Sequence, residues 1–357
     1  MATSTTNELG ESYISNGKRG LVALALALVV PALTVGCGRL DGDGDEYRQG
    51  VPLREDVEIV VPGVEQQAAA LRADGVLETR SKLLGETAAL YTLTRNVTTV
   101  VNSGTAAVLG LVRAITLFPP SSVDKDDAIA VWGPHTEPLS PNTWRLTVHR
   151  IERGQFEYVF EAKPKTAGDT AYLTILSGHH TVANTALRRR AGLPAYGSGD
   201  FDINWDNAQM LPEHDKNVGR AHFVYSRPAP GSDVHIDVTF QQVMDEQTQM
   251  RVDAKYGFVQ TPGAGGSFQF TTTKNEILTT AALETLTARS RWQQTGAGRS
   301  DLKMTGGDLA TEATASECWD SNFASVYMTN SYGDAAKMWG AAAACDAAFQ
   351  TPDYAVF

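Results

Sequence analysis

The chain has 357 residues, 42% of them hydrophobic and 20% charged, with a formal net charge of −11. Ordinary apolar content excludes an intrinsically disordered chain. The acidic balance excludes a nucleic-acid partner, which demands a basic surface, and disfavours docking on anionic lipid headgroups.

Lys18 and Arg19 precede an almost unbroken apolar run from Leu21 to Leu33, and the small residues Thr34-Val35-Gly36 lead into Cys37. That is the layout of a secretory signal peptide. The run is shorter than the ~20 residues a membrane span needs, and it contains Pro31. With cysteine at the cleavage point, the segment resembles the lipobox of bacterial lipoproteins, although Thr34 stands where that motif usually has leucine and Leu33 falls one place early. The resemblance implies removal of residues 1–36, diacylglycerol on the Cys37 thiol, a further acyl chain on its amine, and no separate cofactor. More than one acyl chain holds a protein stably on a bilayer, where a single chain is marginal. Gly38 and Arg39 follow the cysteine instead of the acidic inner-membrane retention signal of that family, so the implied address is the outer membrane of the cell envelope.

Residues 37–53 open with alternating Gly and Asp, which bury nothing and repel one another, and read as a tether. Residues 54–120 read as a helical hairpin. Its second arm carries the clearest period, at Val97, Val100, Val101, Gly104, Val108, Leu111, Val112 and Ile115, and stops at Pro119-Pro120. Arg113 is the sole formal charge from Asn96 to Phe118, so this helix must be buried; Asn96, Asn102 and several threonines favour burial in protein over lipid.

After Pro120 the period changes to two. Trp144, Leu146 and Val148 alternate with polar neighbours, as do Phe156, Tyr158 and Phe160, then Phe201, Ile203 and Trp205, then Val234, Ile236, Val238 and Phe240. Such alternation marks antiparallel strands with one wet face. About a dozen strands fit between residues 121 and 334, leaving 335–357 for a C-terminal helix and tail, with 54–357 as one folding unit. A single sheet buries its aromatic face by curling or by packing on helices. The expected fold is therefore mainly β with α: a curved antiparallel sheet or open barrel packed on the N-terminal hairpin. At the level of architecture it is similar to the half-barrel lipoprotein carriers of the bacterial envelope. The block Glu317-Cys318-Trp319-Asp320, Phe323, Val326, Tyr327 and the alanine-rich stretch to Cys345 resembles the terminus of uncharacterised envelope lipoproteins, and implies a last strand stapled to a short closing helix. With Cys37 lipidated, Cys318 and Cys345 remain as a disulfide pair in an oxidising compartment; the alternative is two separately buried thiols.

The common catalytic signatures are missing: the chain has no G-x-S-x-G, P-loop, H-E-x-x-H or C-x-x-C. Three polar clusters stand out. Asp202-x-Asn204-x-Asp206 with Glu213 has calcium-loop spacing but lacks its glycine. Asp233, His235 and Asp237 share a strand face that could ligate zinc, with His222 or His149 as a further ligand. His179-His180 with Arg188 to Arg190 could join a base to an anion site, although neighbours on a strand face opposite ways.

Three functions follow in order. The first is a non-catalytic carrier for an apolar small molecule, with Trp144, Phe156, Tyr158, Phe160, Phe201, Trp205, Val108 and Leu111 lining its cavity. The second is a structural or assembly partner of another envelope protein, with the helix filling the sheet. The third is a metal-dependent hydrolase built on Asp233, His235 and Asp237.

Overall fold

The computed structural model describes residues 46–63, 84–183, 196–229, 231–245, 249–275, 277 and 279–355. Residues 1–45, and with them the expected signal peptide, Cys37 and most of the tether, lie outside the described residues, as does 64–83 of the expected hairpin's first arm.

Among the described residues, fourteen strands form one antiparallel sheet in strict chain order. They are β1 (Ser122–Asp124), β2 (Ile129–His135), β3 (Asn142–Glu152), β4 (Gln155–Pro164), β5 (Leu173–Val182), β6 (Gly197–Asn204) and β7 (Arg220–Arg227), then β8 (Val234–Met244), β9 (Arg251–Thr261), β10 (Gly265–Lys274), β11 (Glu284–Gln293), β12 (Gly298–Gly306), β13 (Ala313–Trp319) and β14 (Ser325–Asn330). β1 and β14 do not pair, so the sheet is curved and open. The alternating residues share one face as the period of two dictates: Leu146, Val148, Tyr158, Phe201, Ile203, Phe223 and Ile236 are all buried in a single core.

The concave face is covered by the N-terminal part of the chain. A single 3-10 turn (Tyr47–Gly50) lies on β3, β4 and β5, and α1 (Arg54–Val57) lies against β7. Tyr47, Val51, Val57, Ile59 and Val61 are each at most 3% exposed within that core. Gly50 is where this segment comes closest to the sheet: a Cβ there would stand 2.7 Å from both Phe156 and Val148, so only glycine fits.

The long helix α2 (Ala89–Thr116) closes the remaining space. Its start has no side-chain N-cap. Instead Glu317 of β13, fully buried, accepts the Leu90 amide at 2.6 Å, placing a carboxylate where the helix dipole favours negative charge. Tyr91 stacks on Phe323 at 4.5 Å, and Phe118, just past the helix, accepts the indole N–H of Trp132. Among the described residues no single helix is long and apolar enough to cross a membrane.

Most of the expected stripe faces the core, with Val101, Val112 and Ile115 buried in it. Val100 is 69% exposed, and Val97, Val108 and Leu111 are only partly buried, whereas Thr94, Thr98 and Thr105 are buried beside Tyr91, Val101, Leu109 and Val112. Each of those hydroxyls donates to a carbonyl of its own helix, Thr94 to Leu90, Thr98 to Arg95 and Thr105 to Val101. Thr98 and Thr105 thereby behave as small apolar residues, which hydropathy does not register, while Thr94 also pairs with the Ser290 hydroxyl of β11.

The expected C-terminal helix is replaced by three single 3-10 turns, Ala335–Lys337, Ala342–Ala344 and Ala347–Phe349. Their chain crosses the convex face of β11 to β13 as a strap. Arg299 donates to the carbonyls of Phe349 and Gln350, Arg291 to that of Thr351 and Arg289 to that of Ala355.

Candidate functional site

Three regions could carry function: the concave aromatic face, the convex face of β3 to β9, and the rims where the loops lie.

On the concave face the structure brings the expected cavity residues together in one core. Phe156, Tyr158, Phe160, Phe201 and Trp205 are at most 5% exposed, and Trp144, Val108 and Leu111 pack against the same core. Their partners are other side chains: Phe156 meets Tyr47 edge-on at 6.5 Å, Phe201 stacks on Phe223 at 4.5 Å, and Trp205 lies parallel to Phe240 at 6.3 Å. Trp205 opens the short helix α3 (Trp205–Ala208) instead of extending its strand, and stays buried. Tyr158 is held well above the ordinary phenol value by burial. The segment 46–63 is fastened over this wall by Asn102, which the sequence marks only as favouring burial in protein over lipid. Asn102 accepts the Ile59 amide at 2.9 Å and donates to the Ile59 carbonyl at 2.8 Å, so one amide side chain pairs both backbone groups as a neighbouring strand would.

On the convex face the structure separates the polar clusters. His179 points outward to Asp200, and His180 inward, fully buried with its Nδ1 at 2.6 Å from the Tyr225 hydroxyl. The two histidines do face opposite ways, and Arg188 to Arg190 lie outside the described residues. Asp202, Asn204 and Asp206 serve three separate purposes: Asp202 pairs with His222 at 2.9 Å, Asn204 caps α3 through the Asn207 amide, and Asp206 accepts the Gly219 amide and pairs with Arg251. No calcium loop forms.

Asp233 sits in the turn before β8, while His235 and Asp237 project from the strand opposite Val259 and Gly257 on β9. The proposed third ligand His222 is engaged by Asp202, and His149 lies opposite Glu157 on β4. Among the described residues no three ligating side chains gather around one point, so the expected metal cluster is a row of separate polar side chains on a wet sheet face. Burial raises the Asp237 carboxyl above its usual value, with His235 opposing.

Cys318 and Cys345 lie at disulfide-bonding distance, with Cα atoms 5.6 Å apart. They pin the strap beside a buried ionic group that composition alone does not reveal. Asp301, fully buried, accepts from Arg299 and Ser316 through one oxygen and from Arg291 and the Asp353 amide through the other. Every lone pair is used, the condition under which a buried charge is tolerated.

Two small depressions lie among the described residues. One, of about 200 Å³, lies on the convex face beside Asp202, Arg220 and His222. The other, of about 210 Å³, lies between Tyr47, Lys125 and Arg150. Neither touches the aromatic wall. Comparison with known proteins yields no matching family model, no matching curated protein and no matching solved structure.

Proposed function

We propose that this chain is a lipid-anchored protein of the bacterial envelope that acts as a structural or assembly partner of another protein, and that its curved sheet carries no cargo. The observation behind this reading is the occupied concave face: Tyr47, Val51, Val57, Ile59 and Val61 fill the place that an acyl chain would take in a carrier. Ligand pockets of carriers hold ~300–1,000 Å³, above the volume of either depression. The anchor is proposed from Cys37 and the signal-like run before it. Glu46, the first of the described residues, pairs with Arg150 at 2.6 Å beside the β3–β4 turn.

Titration of the purified protein with a fluorescent fatty acid tests the reading. It predicts no saturable uptake; saturable uptake near one per chain overturns it in favour of the carrier. The carrier reading draws on the continuity of the aromatic wall from Trp144 to Trp205, and it requires residues 46–63 to leave.

A further inference from the structure

We infer that Lys274 and Asp245 become joined by an amide bond between their side chains, with Glu284 carrying the proton that the reaction moves. The three residues come from three places in the chain. Asp245 opens the β8–β9 turn, Lys274 ends β10 and Glu284 begins β11.

The sheet brings them together. Lys274 and Glu284 are the terminal partners of the β10–β11 ladder, and directly opposite residues share a face with Cβ atoms ~4.5–5.5 Å apart. That face is the concave one: Phe270, Thr272 and Leu286 stand next along the same strands and are buried. Lys274 is 3% exposed and Glu284 fully buried. Asp245 brings its carboxylate to the amine, with Oδ2 3.3 Å from Nζ. The Asp245 backbone is held in turn, its amide donating to the Met250 carbonyl and its carbonyl accepting the Gln249 amide.

Glu284 is fixed as firmly. Its Oε2 accepts the Ile277 amide at 3.1 Å and its Oε1 the Asp308 amide at 2.8 Å. Gly307, at φ +56°, lies so close that a Cβ there would strike this carboxylate, so the approach requires glycine. Reacting groups held in place by their surroundings have already lost the freedom that a bimolecular reaction would cost.

Charged side chains are rarely buried to this degree. A charge-assisted bond normally measures about 2.7–2.9 Å, and in this chain Lys163 meets Asp169 at 2.8 Å. The Lys274–Asp245 contact is longer and far less wet, so it offsets little of the desolvation of two charges. Passing one proton from the ammonium to the carboxylate removes both charges, which burial favours. A neutral amine then faces a carboxylic acid, and a desolvated lysine amine is a nucleophile.

Nζ attacks the Asp245 carboxyl carbon. Glu284 takes a proton from that nitrogen and delivers it to the departing hydroxyl, so the carbon–oxygen bond breaks, water leaves and the amide bond remains. Ammonium and carboxylate have become amide and water, Glu284 is back in its starting state, and no oxidant or reductant is consumed. The link crosses β9 and ties the β8–β9 turn to the end of β10, so β8 cannot peel from the sheet alone. Neither the anchor nor a partner protein enters this chemistry.

Peptide mapping by mass spectrometry tests it, on full-length protein reduced and denatured before digestion. The wild type should yield a branched peptide containing Asp245 and Lys274, lighter by one water than its two arms together. Asp245→Ala should give linear peptides only. Glu284→Gln keeps the shape of the side chain, and in newly made protein it should slow formation of the branch by about 100-fold or more. Circular dichroism of both variants should match the wild type. Linear arms alone in the wild type overturn the proposal and leave a buried ion pair, a result that depends on no variant. Equal rates in the wild type and in a folded Glu284→Gln variant also overturn it, because the proton then has another carrier.

Discussion

Replacing Asn102 with alanine should release the segment that fills the sheet. Two hydrogen bonds are lost, at 2.9 and 2.8 Å, each worth about 1 kcal/mol net. Ile59 is 3% exposed, so its orphaned amide and carbonyl meet little water, which raises the loss to about 3 kcal/mol. Alanine is the better helix former and returns about 0.6 kcal/mol, leaving a net loss of about 2–3 kcal/mol. Because the clasp joins only residues 46–63 to α2, the effect should be local. Amide exchange at Ile59 and Val61 should accelerate by roughly 30- to 150-fold, at ~1.4 kcal/mol per decade, while exchange in β6 to β9 changes little. Asn96→Ala, on the exposed side of the same helix, is the control and should leave exchange as it was. Unchanged exchange at Ile59 in N102A would show that the clasp does not hold the segment.

Three further outcomes follow from the same structure. Asp301→Ala leaves the guanidinium of Arg299, 1% exposed, without its carboxylate and should cost about 3–5 kcal/mol in urea unfolding, a loss below ~1 kcal/mol contradicting the buried network. Replacing Cys318 and Cys345 together with serine should cost about 3.5 kcal/mol from the 27-residue separation, with the strap still docked because three arginines hold its carbonyls; an unchanged melting temperature would count against the pairing. The Gly219 amide and then Arg251 hold the Asp206 carboxyl below its ordinary value of 3.8. A depressed acid stabilises the fold above its unfolded pKa and loses that contribution as pH falls through the folded one. The Gly219 amide resonance should therefore titrate below the ordinary carboxylate value and not above it, and Asp206→Asn should abolish the titration.

Much of the architecture was legible because alternation has a direct physical cause. Leu146 and Val148, Phe156 and Tyr158, Phe201 and Ile203, and Ile236 and Val238 stand two residues apart and all turn to one core, which gives the strands and their faces. The helix was legible in place and largely in the face it buries, through Val101, Val112 and Ile115, but not at its edges, where Thr98 and Thr105 are buried with their hydroxyls bonded to their own backbone while Val100 is left outside. The site was harder. An aromatic wall reads identically whether a ligand or the chain itself covers it, and what covers this one is fastened by Asn102, a residue 43 positions from its partner. The polar clusters failed for a related reason: Asp202, Asn204 and Asp206 are close in sequence but engage β7, a helix start and the β6–β7 loop.

The most direct test of the account is native mass spectrometry with lipid extraction on the protein taken from its own envelope. A filled concave face predicts the mass of the mature chain plus its covalent acyl groups and nothing else. A stoichiometric non-covalent lipid, retained in the wild type and displaced only on unfolding, would show that the sheet carries cargo and contradict the account.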